Sequence, residues 1–309
     1  MMKPQTLGAA SIASDGGRAA LPDRAGFAIG PGGVRIAYET YGSGDPTLVL
    51  MPSSPIIHSR QWKGQVPYLS RTWRVVTFDG RGNGRSDRPT DPEAYAEPNI
   101  VADFEAVLDA TGTDAAVLVG LCGDGIWRAM EFAASHPERV HGIVAFAPGV
   151  PLLTPPFPSR QSFVDELPSD EGWAKLNRHY FRRDYPGFAR FFFDQMLPER
   201  HSTKQLEDVI GWTLDGSVDV MLADAEAPGD WDRDSIVATC RMVRCPMLLV
   251  HGSDDRCQPM ERSRILAELT GAPLIVVEGA GHMIPGRHPV LANLLIRDFV
   301  RSLPEETTR

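Results

Sequence analysis

Short apolar runs rich in β-branched residues recur along the chain. Most of them are continuous rather than alternating, which is typical of strands buried on both faces of a sheet. We predict one β-strand for each run. The runs span residues 34–41, 47–51, 74–78, 115–120, 142–147, 247–252 and 273–279.

Segments with helical spacing lie between several of these runs. Their apolar side chains recur every three or four residues and form two stripes, one at Val101, Phe104, Val107 and Leu108 and one at Leu291, Leu294, Leu295, Phe299 and Leu303. Alternating strands and helices predict an α/β fold, with a mostly parallel central sheet and helices on both of its faces.

The pattern changes between residues 151 and 238. This stretch has no strand-like run and is dense in aromatic and charged residues. We interpret it as a helical cap inserted into a core formed by residues 27–150 and 239–309. Its aromatic side chains fit an internal core of the cap as well as a substrate pocket, for which Phe192 and Trp212 are candidates. The aromatic residues in question are Phe188, Phe191, Phe192, Phe193 and Trp212.

Composition and charge exclude several functional classes. A chain of 309 residues with 42% hydrophobic content and a mean hydropathy of -0.19 predicts a globular, water-soluble protein. The net charge of -9 comes from 31 basic and 40 acidic residues with no basic stripe, which disfavours nucleic acid as a partner. No apolar run approaches the roughly 20 residues that span a bilayer, so we expect no membrane partner.

Neither the N-terminal residues nor the cysteines indicate a targeting signal, a disulfide framework or a metal site. Residues 1–26 are rich in Gly, Ala and Ser without a continuous apolar segment, so we interpret them as a flexible arm rather than a signal peptide and expect a cytoplasmic protein. The cysteines are too few and too irregularly spaced for a disulfide framework or a metal site, and we predict no metal and no cofactor. They are Cys122, Cys240, Cys245 and Cys257.

The segment GLCGDG, residues 120–125, lies between a predicted strand and a predicted helix. A glycine, one residue, a nucleophile, one residue and then a helix form the pattern of a nucleophile elbow, a sharp turn that exposes a reactive side chain. If the strand ends at Gly120, Cys122 occupies the apex of this turn and Gly123 follows it. The alternative for Cys122 is a small buried apolar residue.

Several segments together resemble the α/β-hydrolase superfamily over about residues 27–303. The order of a nucleophile, then an acid, then a histidine is that of this superfamily's triad, here with cysteine at the elbow Gly120-Leu121-Cys122-Gly123. The segments that carry the resemblance, besides the elbow, are RVVTFDGRGNGRSDRP (74–89), FAASHPERV (132–140), HGSDDRCQP (251–259) and GAGHMIP (279–285).

The resemblance implies a role for each residue of the triad. It selects Asp255 over Asp254 as the acid and His282 as the histidine. A free thiol has a pKa near ~8.5, so an imidazole that takes its proton raises the fraction of reactive thiolate. Asp255 would fix the tautomer of His282 and stabilise its cation.

An oxyanion hole needs two hydrogen-bond donors. The resemblance implies the amide of Gly123 for one donor and an amide of the loop after residue 51 for the other. Pro52 and Ser53 stand where the family has His-Gly, which makes Ser54 the second donor and leaves Ser53 as an alternative that would also contact substrate.

Asp124 departs from the family pattern, which has a small residue two positions after the nucleophile. As an acid in the first helical turn it would complement the helix dipole. It could instead contact the substrate or oppose thiolate formation. We disfavour Asp124 as the nucleophile, because the strand would then have to end two residues later.

These inferences predict a hydrolase that acts on an ester, a thioester or a lactone through an acyl-cysteine intermediate. The alternatives are an acyltransferase or cyclase that uses the same acyl-enzyme, a carbon–carbon bond hydrolase, and a non-catalytic ligand receptor of the same fold. The expected partner is a small-molecule acyl substrate, either free or bound to a carrier. The sequence indicates neither the acyl group nor the oligomeric state.

Overall fold

The computed structural model of the protein describes residues 19–153, 160–200, 203–229 and 232–304. Its centre is one eight-stranded sheet in the order β1-β2-β4-β3-β5-β6-β7-β8. The strands are β1 (Arg24–Ile29), β2 (Arg35–Tyr41), β3 (Thr47–Leu50), β4 (Val75–Phe78), β5 (Ala116–Leu121), β6 (Val140–Phe146), β7 (Met247–Gly252) and β8 (Leu274–Val277).

The sheet is mostly parallel, as predicted. β2 pairs antiparallel with β1 and with β4, and every other neighbouring pair is parallel. Each predicted run coincides with one of the strands β2 to β8. The pattern missed β1, because this edge strand exposes Phe27 and Ile29 and lacks a continuous apolar run. The predicted α/β fold is confirmed.

Helices follow most of the strands and cover both faces of the sheet. In the described residues they are α1 (Val66–Leu69), α2 (Glu97–Thr111), α3 (Cys122–Ser135), α4 (Arg160–Val164), α5 (Arg178–Met196), α6 (Lys204–Leu214), α7 (Val218–Ala225), α8 (Arg233–Met242), α9 (Met260–Thr270), α10 (Ile284–Arg287) and α11 (Pro289–Ser302). Within the same residues, no helix combines the length and apolar content needed to cross a bilayer.

Side chains of β5 alternate between two buried clusters. Val117, Val119 and Leu121 lie in the first cluster with residues of α1, α5, α6, α7, α10 and α11. Ala116 and Leu118 lie in the second cluster with residues of α2, α3, α8 and α9. Because β5 is buried on both faces, its sequence is a continuous apolar run, and its end lies under two layers of helices.

The aromatic side chains of α5 pack on one another. The ring centroids of Phe181 and Phe188 are 4.3 Å apart, and Tyr185 and Phe193 are buried in the same first cluster. Phe192 is only partly buried. Most of these aromatic side chains therefore form a core between the cap segment and the sheet, and Phe192 stands at its margin.

Two elements cross the boundaries that we predicted for the arm and the cap. β1 begins at Arg24, whereas the arm was assigned to residues 1–26, of which 1–18 lie outside the described residues. α8 crosses the boundary at residue 238, and its buried Ile236 and Cys240 pack in the cluster that contains α2, α3 and α9. The contacts of α8 therefore lie with the sheet layer.

A buried ion pair holds the turn after β4. Arg81 donates from Nε to Oδ2 of Asp103 at 2.6 Å and from Nη2 to Oδ1 at 2.7 Å, and both side chains are 2% exposed. In the same turn, Asp79 accepts the backbone N–H of Ser59 at 3.0 Å and that of Arg85 at 2.9 Å. These bonds tie the turn to α2 and to the loop after β3, which borders the elbow.

We expect Arg81→Met to destabilise the protein by about 3 to 5 kcal/mol, because it leaves the Asp103 carboxylate buried without its partner. Urea unfolding followed by circular dichroism measures this loss. The exposed pair of Arg35 and Asp87 supplies the control, since Arg35→Met should cost about 1 kcal/mol or less. Equal losses in the two variants would contradict this account of the turn.

Candidate active site

Cys122 lies at the junction where β5 ends and α3 begins. Its φ of 68° is in the left-handed region, which a residue with a side chain adopts at a cost of about 1 to 2 kcal/mol. Glycines make room for this turn. A Cβ at Gly120 would lie 2.6 Å from Cδ1 of Ile126, and one at Gly125 would lie 2.9 Å from the carbonyl oxygen of Pro52. The strand extends one residue beyond the predicted end at Gly120, to Leu121.

Asp255 and His282 meet at the same edge of the sheet. Asp255 follows β7 and His282 follows β8, and Oδ2 of Asp255 is 2.8 Å from Nδ1 of His282. The other carboxylate oxygen accepts the backbone N–H groups of Cys257 at 2.7 Å and Gln258 at 2.9 Å. With Nδ1 held by the carboxylate, Nε2 is the ring nitrogen left for the site.

The structure brings the three predicted triad residues together. Sγ of Cys122, a ring nitrogen of His282 and Sγ of Cys257 lie within 4.8 Å of one another. The side chains of Asp255 and His282 are 1% and 3% exposed, whereas Cys122 is only partly buried. The sulfur of Cys122 is thus the member that faces open space.

The charges of this site favour a thiolate next to an imidazolium. A hydrogen bond from the Cys257 thiol, with the charge of His282, holds the pKa of Cys122 well below its ordinary value despite burial. Burial alone would lower the pKa of His282, but Asp255 and Cys122 raise it well above the ordinary value. Burial alone would raise the pKa of Asp255, but His282 and His251 hold this pKa well below the ordinary value of a carboxyl group.

The two neighbouring thiols have opposite pKa shifts. Burial and the adjacent Cys122 sulfur raise the pKa of Cys257 well above the ordinary value of a thiol. Cys257 therefore remains protonated and donates, whereas Cys122 accepts. In the sequence, the position of Cys257 two residues after the acid allows a place near the site, but its residue type favours a packed thiol, so this contact was not predicted.

Gln258 and Arg262 are site residues that sequence reasoning missed. Nη1 of Arg262 donates to Oε1 of Gln258 at 2.8 Å and to the carbonyl oxygen of Gly149 at 2.8 Å. Because a guanidinium only donates, the amide oxygen of Gln258 must face it and the amide nitrogen must face the sulfurs. That nitrogen is 3.9 Å from Sγ of Cys122 and 3.7 Å from Sγ of Cys257.

His251 contacts the same carboxylate oxygen of Asp255 as His282 does. Its Nε2 is 3.3 Å from Oδ2 of Asp255, and its Nδ1 is 2.6 Å from Oγ of Ser263. The side chain is fully buried at the end of β7. His251 therefore belongs to the hydrogen-bond network around Asp255 and does not approach Cys122.

The residues predicted for the oxyanion hole border Cys122. The backbone N–H of Gly123 contributes to the low pKa of the Cys122 thiol. Ser53 donates from Oγ to the carbonyl oxygen of Leu121 at 3.1 Å, which ties its loop to the residue before the elbow. Ser54 accepts the N–H of Ile57 at 3.3 Å in a tight turn. Ser53 and Ser54 both line the cavity at Cys122.

This cavity has a volume of about 40 Å³ and opens beside Cys122. Its polar lining comes from Ser53, Ser54, Gln61 and His282. The remaining lining is apolar and is formed by Ile56, Ile57, Leu121, Phe192, Phe193, Met196 and Met283. The cavity is small and mostly apolar, which suits a short apolar group.

The candidates for substrate contact divide between two cavities. Phe192 and Ser53 line the cavity at Cys122. Trp212 is absent from that lining and borders an adjacent cavity of about 170 Å³. Its ring centroid is 5.5 Å from that of His58. The side chain of Asp124 lies outside the described residues. The structure therefore brings Phe192 and Ser53, but not Trp212, to the candidate nucleophile.

Comparison with known proteins supports this fold. The model of the alpha/beta hydrolase fold family matches residues 46–289, which include Cys122, Asp255 and His282. A solved esterase from Exiguobacterium antarcticum superimposes with a TM-score of 0.76 at 21% identity, over 90% of this chain and 100% of that one.

Curated relatives extend over most of the chain. A non-heme chloroperoxidase of Streptomyces lividans is 28% identical over 281 residues, which cover 87% of this chain and 97% of the relative. A bifunctional esterase/perhydrolase of Acinetobacter calcoaceticus is 26% identical over 286 residues, which cover 90% of this chain and 100% of the relative. These proteins share a fold that carries more than one chemistry.

We expect Gln258→Leu to raise the pKa of Cys122, because the thiolate loses the amide that lies 3.9 Å from its sulfur. The pH dependence of the rate of alkylation by iodoacetamide measures this pKa. Below the ordinary thiol pKa the variant should react more slowly than the wild type, and at high pH their rates should converge. An unchanged pH profile in a correctly folded Gln258→Leu variant would show that the amide does not act on the sulfur.

Proposed function

The chain belongs to the α/β-hydrolase fold family, and from this premise we propose that it hydrolyses an ester, a thioester or a lactone through an acyl-cysteine intermediate on Cys122. One observation carries the proposal. The sulfur of Cys122, at a left-handed elbow, lies beside His282, which is held by Asp255 at 2.8 Å. Such an arrangement couples a nucleophile to a base and the base to an orienting carboxylate.

The first half of the proposed reaction forms the acyl-enzyme. The Cys122 thiolate attacks the substrate carbonyl carbon. The resulting oxyanion accepts one hydrogen bond from the backbone N–H of Gly123 and a second from the backbone N–H of Ser54 or Ser53. The tetrahedral intermediate then collapses, and the imidazolium of His282 protonates the leaving group. The acyl group remains on sulfur as a thioester.

The second half releases the acid. Neutral His282 takes a proton from water, and the hydroxide adds to the thioester carbonyl carbon. Collapse of this intermediate expels the Cys122 thiolate and restores the imidazolium. Asp255 stays ionised throughout, because its low pKa and its two backbone donors stabilise the carboxylate. No metal or cofactor takes part in these steps.

The cavity supports a short apolar acyl group as the partner of this site, whether it arrives free or on a carrier. Its volume of about 40 Å³ and its lining by Phe192, Phe193 and Met196 favour burial of a short alkyl chain next to the sulfur. A thiolate reacts well with activated carbonyl groups, which ranks esters, thioesters and lactones above amides.

Transfer of the acyl group to an acceptor other than water is the second candidate. A thioester intermediate is open to amines, alcohols, thiols and peroxides as well as to water. The relative named as a bifunctional esterase/perhydrolase supports this candidate, because it has a second activity besides hydrolysis of esters. Analysis of products formed with and without added acceptor separates hydrolysis from transfer.

We expect wild-type protein incubated with p-nitrophenyl butyrate to gain one butyryl group on Cys122, detected by mass spectrometry of the intact chain and its peptides. Cys122→Ala should carry no acyl group and should lose about 10³-fold or more in kcat. Cys245→Ala, which removes another free thiol, is the matched control and should behave as the wild type. Absence of an adduct with every activated acyl donor tested would instead favour a non-catalytic receptor.

Cys122→Ser is expected to retain measurable hydrolysis, because His282 can also take the proton of a hydroxyl group. Steady-state kinetics with the same ester measures it. Complete loss in a folded Cys122→Ser protein would show that the site depends on a preformed thiolate.

We expect Phe192→Ala to enlarge the cavity and raise the ratio of kcat/KM for hexanoyl over acetyl esters about tenfold, because longer chains gain apolar contact. Trp212→Ala is the control, because it also removes an aromatic side chain but from the neighbouring cavity. This variant should leave the ratio unchanged. The reverse pattern, with Trp212→Ala altering the preference and Phe192→Ala not, would place the acyl group in the other cavity.

A further inference from the structure

The proposed mechanism leaves one buried nucleophilic group without a task. Cys257 is a buried free thiol next to the candidate nucleophile, and its sulfur, the Cys122 sulfur and a His282 ring nitrogen lie within 4.8 Å of one another. Two sulfurs and an imidazole nitrogen are the donors that a borderline-soft divalent cation prefers. Among the described residues, this is the group of three such donors that is close enough to share one ion.

We propose that Cys122, Cys257 and His282 bind one Zn²⁺ ion, with the fourth coordination position open to the cavity. Zinc is held by three protein ligands and one exchangeable ligand in sites that face a cavity. The site would take Zn²⁺ in preference to Mg²⁺ or Ca²⁺, which require oxygen ligands.

The distances fit a tetrahedral ion after small movements. Zinc–sulfur bonds of about 2.3 Å put two sulfurs about 3.8 Å apart in a tetrahedron. The three donor atoms are already within 4.8 Å of one another, so side-chain movements of about 1 Å or less would bring them to these distances. The cavity at Cys122 provides space for a water molecule or a substrate oxygen at the fourth position.

The surrounding hydrogen bonds suit the bound ion. Asp255 holds Nδ1 of His282 at 2.8 Å and leaves Nε2 for the metal, which is the arrangement of carboxylate, histidine and zinc that fixes the ring and raises its basicity. The amide nitrogen of Gln258 faces both sulfurs, at 3.9 Å and 3.7 Å, and can donate to the metal-bound thiolates.

The charges of the ion and its sulfur ligands also balance when the ion is bound. Two thiolates neutralise Zn²⁺, and the carboxylate of Asp255 keeps its contacts with His282 and with two backbone N–H groups. Zinc binds the thiolate form of both sulfurs and the neutral imidazole, so binding releases protons and transfers no electron. Affinity should therefore fall as the pH decreases.

A bound ion would inhibit acyl transfer by Cys122, and this consequence rests on the proposed function. Zinc would occupy the lone pairs that Cys122 and His282 use in acyl transfer, so the metal-bound site would not form the acyl-enzyme. Removal of the metal by a chelator would restore formation of the acyl-enzyme. The site would then link hydrolysis to the supply of zinc.

The test is a titration of the untagged full-length chain with Co²⁺, under anaerobic conditions and with a non-thiol reductant. Cobalt reports on sulfur ligands by a thiolate-to-metal charge-transfer band in the near ultraviolet and on tetrahedral geometry by visible bands. We expect both in the wild type and in the control Cys245→Ser, and one equivalent of Zn²⁺ should abolish them. Cys257→Ser, which keeps the backbone N–H to Asp255, should bind about 100-fold more weakly.

Absence of these bands in wild-type protein with all four thiols free, or bands of equal intensity in Cys257→Ser, would overturn the proposal. Mass spectrometry of Cys122 acylation, measured on metal-free samples of the same preparations, keeps the two proposals apart. Acylation without a cobalt spectrum refutes the zinc site alone. A cobalt spectrum without acylation by any donor refutes the proposed hydrolysis and leaves the zinc site standing.

Discussion

The geometry of the candidate site depends on the left-handed backbone of Cys122. A φ of 68° at the last turn between β5 and α3 directs the side chain out of the sheet instead of along the strand or the helix. The turn needs small neighbours, because a Cβ at Gly120 or Gly125 would collide with Ile126 or with the carbonyl oxygen of Pro52. Parallel strands then bring the segments after β7 and β8 to the same edge, where Asp255 and His282 approach the sulfur.

Around this turn, the protein arranges donors rather than acceptors toward the Cys122 sulfur. The Cys257 thiol, the Gln258 amide and the His282 imidazolium all favour negative charge there, and Asp255 balances the imidazolium. Arg262 fixes the direction of the Gln258 amide and places a buried positive charge in the same region. In the proposed metal site Cys257 and His282 would give up their protons and become ligands, and the Gln258 amide would remain as the donor to both sulfurs.

Sequence reasoning reached the elements whose signals are local. Continuous apolar runs located β2 to β8, and the spacing around Cys122 located the elbow to within one residue. The resemblance to a known superfamily paired Asp255 and His282 with it. Edge strand β1 was not predicted, because it exposes apolar side chains and lacks a continuous apolar run. The packing of α8 against the sheet layer was not predicted, because a local sequence pattern does not identify the elements that a helix packs against.

The finer features of the site arise from contacts between distant residues. The orientation of Gln258 depends on Arg262 and on the carbonyl oxygen of Gly149, and the contact between Cys122 and Cys257 joins residues from two turns at the sheet edge. The assignment of Trp212 to the substrate pocket rested on its residue type, which does not distinguish one cavity from its neighbour.

The most direct test of the central claim is a ¹³C nuclear magnetic resonance spectrum of the protein mixed rapidly with a carbonyl-labelled activated ester. The account predicts a transient protein-bound resonance in the thioester range that decays to free carboxylate as turnover proceeds. Steady formation of labelled carboxylate with no thioester resonance, under conditions in which deacylation is slowed enough for an intermediate to accumulate, would contradict acyl transfer through the sulfur of residue 122.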